Sequence, residues 1–156
     1  MDQKIIDEVI FRKADDKDLT NLYRLEIKCF REDAYPPQLL LFYMRFPKNF
    51  FILAEKIPEK IIIGYIIGII EGGEIGHIIS ICVDPGFRRR GIGSKLMIMA
   101  EKYFVEERVC ISKLEVRVDN EEAMKMYKKL GYDIVDILKR YYKDGGDAYL
   151  MIKKLC

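Results

Sequence analysis

The stretch Ile81-Cys82-Val83-Asp84-Pro85-Gly86-Phe87-Arg88-Arg89-Arg90-Gly91-Ile92-Gly93-Ser94 constrains this chain more than any other. Residues 78–83 read as an apolar strand, and Asp84-Pro85-Gly86 is a turn signal that ends it. Three arginines and two glycines follow. Ile92, Leu96, Met99 and Tyr103 then recur at three- and four-residue spacing, which predicts a helix. A helix N-terminus presents unsatisfied backbone N–H groups and a partial positive charge. Gly91 and Gly93 remove the side chains that would hold a ligand off those groups, and Arg88, Arg89 and Arg90 add charge. Strand, basic glycine loop and helix describe a seat for a phosphate. Spacing alone also fits a solvated loop whose glycines only shape a turn. The stretch is no Walker A loop, which needs Gly-x-x-x-x-Gly-Lys-Ser/Thr, and it lacks the third glycine of a dinucleotide fingerprint.

A length of 156 residues suits a single domain, residues 1–156, with a sizeable core. Half the residues are hydrophobic and a third charged, as in ordinary soluble globular proteins. A net charge of +2 is too small to argue for a nucleic-acid partner. Cys29, Cys82, Cys110 and Cys156 show no CxxC or His-paired spacing, and the first three lie in apolar patterns. Reduced, buried thiols are therefore expected rather than disulfides or a zinc site. The single histidine excludes a His-rich metal site, and no metal is expected. The polar N-terminus is unlike a signal peptide. The most apolar run, residues 61–70, is half a membrane span long and carries two glycines, so it reads as a strand of a cytoplasmic protein.

Taken in order, residues 9–13 read as a strand. Asp15 or Asp16 then caps a helix reaching about Phe30, with Leu19, Leu22, Ile27 and Phe30 among its apolar positions. Residues 38–46 form a short helix, apolar nearly all round and stopped by Pro47, either buried or walling a groove. Strands at 50–56, 61–71 and 75–83, separated by Pro58-Glu59 and Gly72-Gly73, make an antiparallel meander. The helix from Ile92 to about Glu107 leads to a strand at 113–118, and such strand–helix–strand units are parallel and right-handed. Asn120 caps a further helix with Glu121 and Glu122 in its first turn, Lys128 and Lys129 in its last, and Gly131 at its end. Strands at 134–138 and 148–152 flank the loop 140–146. The fold is mixed α/β (α+β): an antiparallel meander joined to a parallel strand pair, with flanking helices. Where those parallel ends diverge, a crevice suited to a ligand opens.

In the strand 113–118, Leu114, Val116 and Val118 face one way and Lys113, Glu115 and Arg117 the other. The charged face borders either solvent or a cleft. Asn120 and Tyr127 stand two turns apart and share a side of their helix. Taken singly, Tyr127 reads as a core aromatic and His77 as a hydrogen-bonded structural residue.

In combination these segments point further. Gly76-His77-Ile78-Ile79-Ser80-Ile81-Cys82-Val83, Arg88-x-x-Gly91-x-Gly93, Leu114-Glu115-Val116-Arg117-Val118-x-Asn120 and Tyr127-x-x-Leu130-Gly131-Tyr132 occur in the order seen in the GNAT N-acetyltransferase superfamily, which this chain resembles. The tail Tyr141-Tyr142-Lys143-Asp144-Gly145-x-Asp147-Ala148-Tyr149 is similar to protein N-terminal acetyltransferases: the archaeal and eukaryotic NatA-type catalytic subunits and the bacterial ribosomal-protein alanine N-acetyltransferase.

The resemblance implies a GNAT fold whose parallel strands splay around acetyl-CoA, the acetyl donor. Its pyrophosphate would lie on Arg88, Arg89, Arg90, Gly91, Ile92, Gly93 and Ser94, and its pantetheine arm would pair with Ile81, Cys82 and Val83, on a strand that carries a bulge in family members. The Val83 N–H would face the thioester oxygen, and Asn120 would be a further contact. Glu115 is implied as the base, Tyr127 as the acid for the leaving thiolate, and His77 as a second candidate in proton transfer. Tyr35, Tyr141 and Tyr142 would hold the first peptide units. The loop Arg31-Glu32-Asp33-Ala34-Tyr35 stands where NatA-type enzymes carry Leu-Pro-Glu-Asn-Tyr, which leaves the preferred first residue open. The implied partners are protein and peptide N-termini, with room for a ribosome-associated auxiliary subunit and without a membrane or specific nucleic acid. The alternatives are acetylation of lysine side chains or small amines, a nucleic-acid module built on the arginines, and a silent acetyl-CoA sensor.

Overall fold

The computed structural model describes residues 8–156. Strand β1 (Val9–Lys13) leads through a 3-10 turn (Asp16–Asp18) into helix α1 (Leu19–Phe30). A second such turn (Arg31–Asp33) and helix α2 (Pro37–Met44) precede the meander β2 (Asn49–Lys56), β3 (Ile61–Glu71) and β4 (Ile75–Val83). Helix α3 (Ile92–Glu106), β5 (Ile111–Arg117), α4 (Glu121–Lys129), β6 (Asp133–Leu138) and β7 (Ala148–Lys154) complete the chain. Every element expected from the sequence is present, with ends shifted by one or two residues.

The seven strands form one sheet in the order β1-β2-β3-β4-β5-β7-β6. All neighbours are antiparallel except β4 and β5, which pair in parallel through Ile75–Ile111, Gly76–Ser112 and His77–Lys113 only. Beyond His77, β4 stays bound to β3 while β5 stays bound to β7, so the two strands part. In the β3–β4 ladder Ile67 faces Ser80 and Gly68 faces Ile78, which leaves Ile79 as an extra residue on β4. Such a bulge bends its strand and disrupts pairing locally.

Both faces of the sheet are covered, which is why β3 reads as an unbroken apolar run. On one face, Ile92, Leu96, Met97, Ala100 and Phe104 of α3 pack with Ile66, Leu114, Val116 and Tyr127. The buried stripe of α3 is thus turned from the expected one: Met99 and Tyr103 lie at its margin, where Tyr103 meets Phe50 with ring centroids 5.3 Å apart. Phe104 lies so flat on β4 that a Cβ at Gly76 would come within 2.3 Å of its ring. On the other face, Leu22 and Leu25 of α1 and Leu40 of α2 pack on Phe51, Leu53, Tyr65 and Ile67. In α1 it is Glu26 that is buried, while Ile27 is exposed. Helix α2 does both things its sequence allowed: Leu40 is fully buried, and Leu41, Phe42, Arg45 and Phe46 line an outer groove.

The cysteines depart from expectation. Cys29, at the end of α1, is disulfide-bonded to Cys82 of β4, and Cys110 is bonded to Cys156. The partners are 53 and 46 residues apart and meet only when the sheet assembles, so no local spacing announced them. Their apolar surroundings, the basis for expecting thiols, bury a disulfide equally well. No helix among the described residues is long and apolar enough to cross a membrane.

Candidate active site

Alternation along β5 buries Leu114 and Val116 in the core and turns Lys113, Glu115 and Arg117 to the opposite face. His77 is the strand partner of Lys113 and of Ile69, so it shares that face with Glu71 and Glu115, one pleat away on either side. Diagonal neighbours of this kind are within reach of long side chains. The His77 Nε2 lies 2.8 Å from Glu115 Oε1, and its Nδ1 lies 2.8 Å from Glu71 Oε2. Lys113 Nζ sits 3.1 Å from the second oxygen of Glu71. A row of charged groups thus crosses β3, β4 and β5 at the point where the parallel strands part. Burial pulls the His77 pKa down, but Glu115 and then Glu71 more than offset it, so the ring keeps its proton above its ordinary value. For Glu71, burial opposes ionisation, and its contacts with His77 and Lys113 leave it below the ordinary carboxylate value.

Two loops meet over this row. The Arg117 guanidinium binds Asp33 Oδ2 through Nε at 3.0 Å and Nη2 at 2.6 Å, reaches Asp144 Oδ1 at 3.1 Å, and stacks 4.2 Å from the centre of the Tyr142 ring. One arginine therefore ties the loop before α2 to the loop between β6 and β7. Tyr35 closes the first loop. Its hydroxyl donates to the carbonyl of the bulged Ile79 at 3.4 Å, and its N–H donates to Glu26 Oε2 at 2.9 Å. Tyr65 donates its hydroxyl to the other oxygen of Glu26. Burial pushes the Glu26 carboxyl up to about 7, against the pull of the Tyr35 N–H. Tyr141 and Tyr142 meet edge to face in the second loop, centroids 5.0 Å apart. Burial and the nearby Glu115 carboxylate push the Tyr141 phenol up to about 12. Tyr43 of α2 joins the group: burial, then Glu71 and Glu115, raise its phenol as well.

The other side of the gap is built from backbone. Gly91 caps α3 with φ 82°, a left-handed conformation open to glycine, and supplies no side chain to the first-turn N–H groups of Ile92, Gly93 and Ser94. Arg89 is also left-handed, at φ 62°, and its side chain is exposed. A Cβ on Gly93 would approach Met126 of α4 to 3.2 Å, so this glycine lets α4 close on the helix start. Arg88 folds back and donates from Nε to the Val83 carbonyl at 2.9 Å. The Cys82 carbonyl points to Gly64 of β3, so by alternation the N–H of Val83, like its carbonyl, points into the gap. Arg90 is partly buried in the same loop. Asn120 Oδ1 accepts the Ala123 N–H at 3.2 Å and so caps α4. On that helix Tyr127 is buried against Tyr132, and burial, then Tyr142, hold its phenol well above the ordinary range. It remains a proton donor at neutral pH.

A hydrogen-bond-lined gap between splayed strands, a bare helix N-terminus and a carboxylate–imidazole pair fit a pantetheine-linked pyrophosphate and a reacting amine. The Acetyltransferase (GNAT) family model matches residues 19–132. The chain belongs to the GNAT acetyltransferase family. As a GNAT enzyme it takes its acetyl group from acetyl-CoA. It is 39% identical over 147 residues to an uncharacterized N-acetyltransferase of Methanocaldococcus jannaschii, covering 94% of this chain and 92% of that one. It is 37% identical over 139 residues to the N-alpha-acetyltransferase of Sulfurisphaera tokodaii, covering 79% and 80%. The crystal structure of Ard1 from Thermoplasma volcanium superposes with a TM-score of 0.88 at 31% identity, over 96% of this chain and 99% of that one.

The structure brings His77, Glu115, Tyr35, Tyr141 and Tyr142 together on one side of the gap. The residues Ile81–Ser94 named from the sequence line its other side, with Asn120 capping α4 and Tyr127 buried on that helix. Sequence reasoning missed Glu71, Tyr43, Glu26 and the Arg117 clamp. For Glu71 a signal existed: it and His77 flank the Gly72-Gly73 turn at distances that place both on one face of the hairpin. The partners of Arg117 are 84 and 27 residues away and had no local signature.

Proposed function

We propose that this protein is an N-terminal protein acetyltransferase, moving the acetyl group of acetyl-CoA to the free α-amine of proteins and peptides by direct attack. The observation that carries this reading is the Arg117 clamp. By joining Asp33, Asp144 and Tyr142, it draws two loops over the carboxylate two residues before it and gathers Tyr35, Tyr43, Tyr141 and Tyr142 around Glu115. A ring of phenol hydroxyls beside a carboxylate suits the polar backbone at the end of a peptide. The S. tokodaii relative, named an N-alpha-acetyltransferase, supports the same reading.

In this account Glu115, steadied by His77 at 2.8 Å, takes a proton from the incoming ammonium directly or through one water. An α-amine, with a pKa of about 8 against about 10.4 for lysine, is within reach of such a base near neutrality. The Val83 N–H faces the thioester oxygen as negative charge develops there. As the C–N bond forms and the C–S bond breaks, Tyr127, kept protonated by burial, gives its proton to the departing sulfur, and the second proton shed by the new amide nitrogen restores the phenol through solvent. The N–H groups of Ile92, Gly93 and Ser94, with the charge of Arg88, Arg89 and Arg90, hold the pyrophosphate; Ile81 and Val83 offer their backbones to the pantetheine, and Asn120 approaches it from α4.

The test is acetyl-CoA turnover on short peptides that vary the first residue among Met, Ser, Ala and Glu, alongside peptides with a blocked N-terminus and a free internal lysine. Turnover on free α-amines alone is expected. Transfer to blocked, lysine-bearing peptides would move the assignment to lysine acetylation, and transfer to neither would point to small amines.

A further inference from the structure

Behind the proposed base stands a group that the transfer reaction has not used. Glu71 closes β3 just before the Gly72-Gly73 turn, and its carboxylate is divided between two cations. One oxygen faces His77 Nδ1 at 2.8 Å and the other faces Lys113 Nζ at 3.1 Å. The far nitrogen of the same ring meets Glu115 at 2.8 Å. In the charged ring both nitrogens donate to carboxylates, which fixes the plane of the imidazole. The side chain of Glu71 is 38% exposed, whereas those of His77 and Glu115 are 13% and 12%. The row runs from the enclosed gap out to water.

The charge of His77 governs what Glu115 can do. A cationic ring at hydrogen-bond distance stabilises the carboxylate and opposes its taking a proton from an amine. A neutral ring has one N–H for the two carboxylates, and in its Nε2–H tautomer it still donates to Glu115 without that opposition. The groups facing His77 and its neighbours are Glu71 from β3, Lys113 and Glu115 from β5, Tyr43 from α2, Tyr35 from the loop before α2, and Tyr141 and Tyr142 from the β6–β7 loop. Of these, Glu71 is the anion on the solvent side of the ring, and Lys113 is the cation that tempers it.

Building on the reading of Glu115 as the base, we propose that Glu71 is a positioning residue for acetyl transfer: it locks His77 with Nε2 on Glu115 and, balanced by Lys113, sets the pH at which that ring loses its charge. Glu71 thus acts through His77 and touches neither substrate. The arrangement makes two opposite predictions. Removing the Glu71 charge makes the imidazolium easier to discharge, so the enzyme becomes competent at lower pH. Removing the Lys113 charge frees Glu71 to hold the imidazolium more firmly, and competence moves to higher pH.

His77 is the single histidine of the chain, so nitrogen-15 NMR of a histidine-labelled sample shows one ring. The experiment titrates that ring in the full-length protein, in Glu71→Gln and in Lys113→Met, and measures the pH profile of kcat/KM for each with whichever amine accepts the acetyl group. The expected result is a His77 midpoint about one pH unit lower in Glu71→Gln and higher in Lys113→Met, with the acid limb of the profile following each shift. An unmoved midpoint in Glu71→Gln would overturn the coupling, and a moved midpoint with a fixed acid limb would overturn its role in the reaction. Lys113→Met keeps the proposal testable if Glu71→Gln fails to fold. The titration needs no substrate, so it stays separate from the choice of acceptor, which the peptide panel decides.

Discussion

The two sides of the gap are made in different ways. The side proposed for acetyl-CoA is mainly one run of chain, Ile81 to Ser94, joined by Asn120 and Tyr127, and its chemistry lies largely in backbone N–H groups and in glycines that leave them bare. The side proposed for the acceptor is assembled from five separate segments: Tyr35, Tyr43, Glu71 with His77, Glu115 with Arg117, and Tyr141 to Asp144. It works through side chains, and strand register brings them together. A contiguous backbone site tolerates variation around it, since only its glycines and its helix start are demanding. A site held by register and one bridging arginine can alter its acceptor by changing a loop, with the donor side untouched.

The largest effect expected is on the acceptor side. Glu115→Gln should lower kcat by about 10² to 10⁴-fold, the usual range for a lost general base. The acetyl-CoA dissociation constant should stay near its wild-type value. Rapid-mixing kinetics beside calorimetric binding would show it, and equal loss of both would erase the division between the two sides.

Glu26 gives the next effect, on stability. Burial raises its folded-state pKa to about 7 from 4.5, so the native state binds the proton more tightly than the unfolded chain does. Its stabilisation is full below pH 4.5 and is lost as pH rises to about 7, a change of roughly 3 kcal/mol. Asp18 acts in the opposite sense: Arg12 holds its pKa down, and its share is lost as pH falls. The difference between the wild-type and Glu26→Gln denaturation curves across pH 4–8 therefore isolates Glu26, and it should slope as stated.

Arg117→Ala should raise the peptide KM about tenfold, because the clamp orders two loops at a cost that the free protein has already met. The KM for acetyl-CoA should hardly move, and Arg117→Lys, which lacks the planar fork, should restore little. Gly91→Ala is the mirror case and the smallest. Strain at φ 82° and a methyl group at the helix start should raise the acetyl-CoA KM a few-fold and leave the peptide KM alone. Steady-state kinetics with either substrate varied would decide both.

Legibility followed the same division. The strand–loop–helix around Arg88 and Gly91, and the alternation of Glu115 with Leu114 and Val116, were readable because they rest on local spacing and period. Glu26 was not, since the apolar spacing of α1 runs through Ile27, and the donors that hold a buried carboxyl there, Tyr35 N–H and the Tyr65 hydroxyl, come from a loop and a distant strand. The Cys29–Cys82 and Cys110–Cys156 bonds and the Arg117 clamp join residues 27 to 84 apart, and sheet order alone sets those distances. On α3 the buried residues run four apart through Ile92, Leu96, Ala100 and Phe104, whereas the spacing through Met99 and Tyr103 marks the margin of that stripe.

The most direct test of the account uses one peptide that carries both a free α-amine and an internal lysine, incubated with the enzyme and acetyl-CoA near neutral pH. Tandem mass spectrometry then locates the acetyl group. The account predicts a single acetyl on the N-terminal nitrogen, and an acetyl on the lysine with the terminus left free would contradict it.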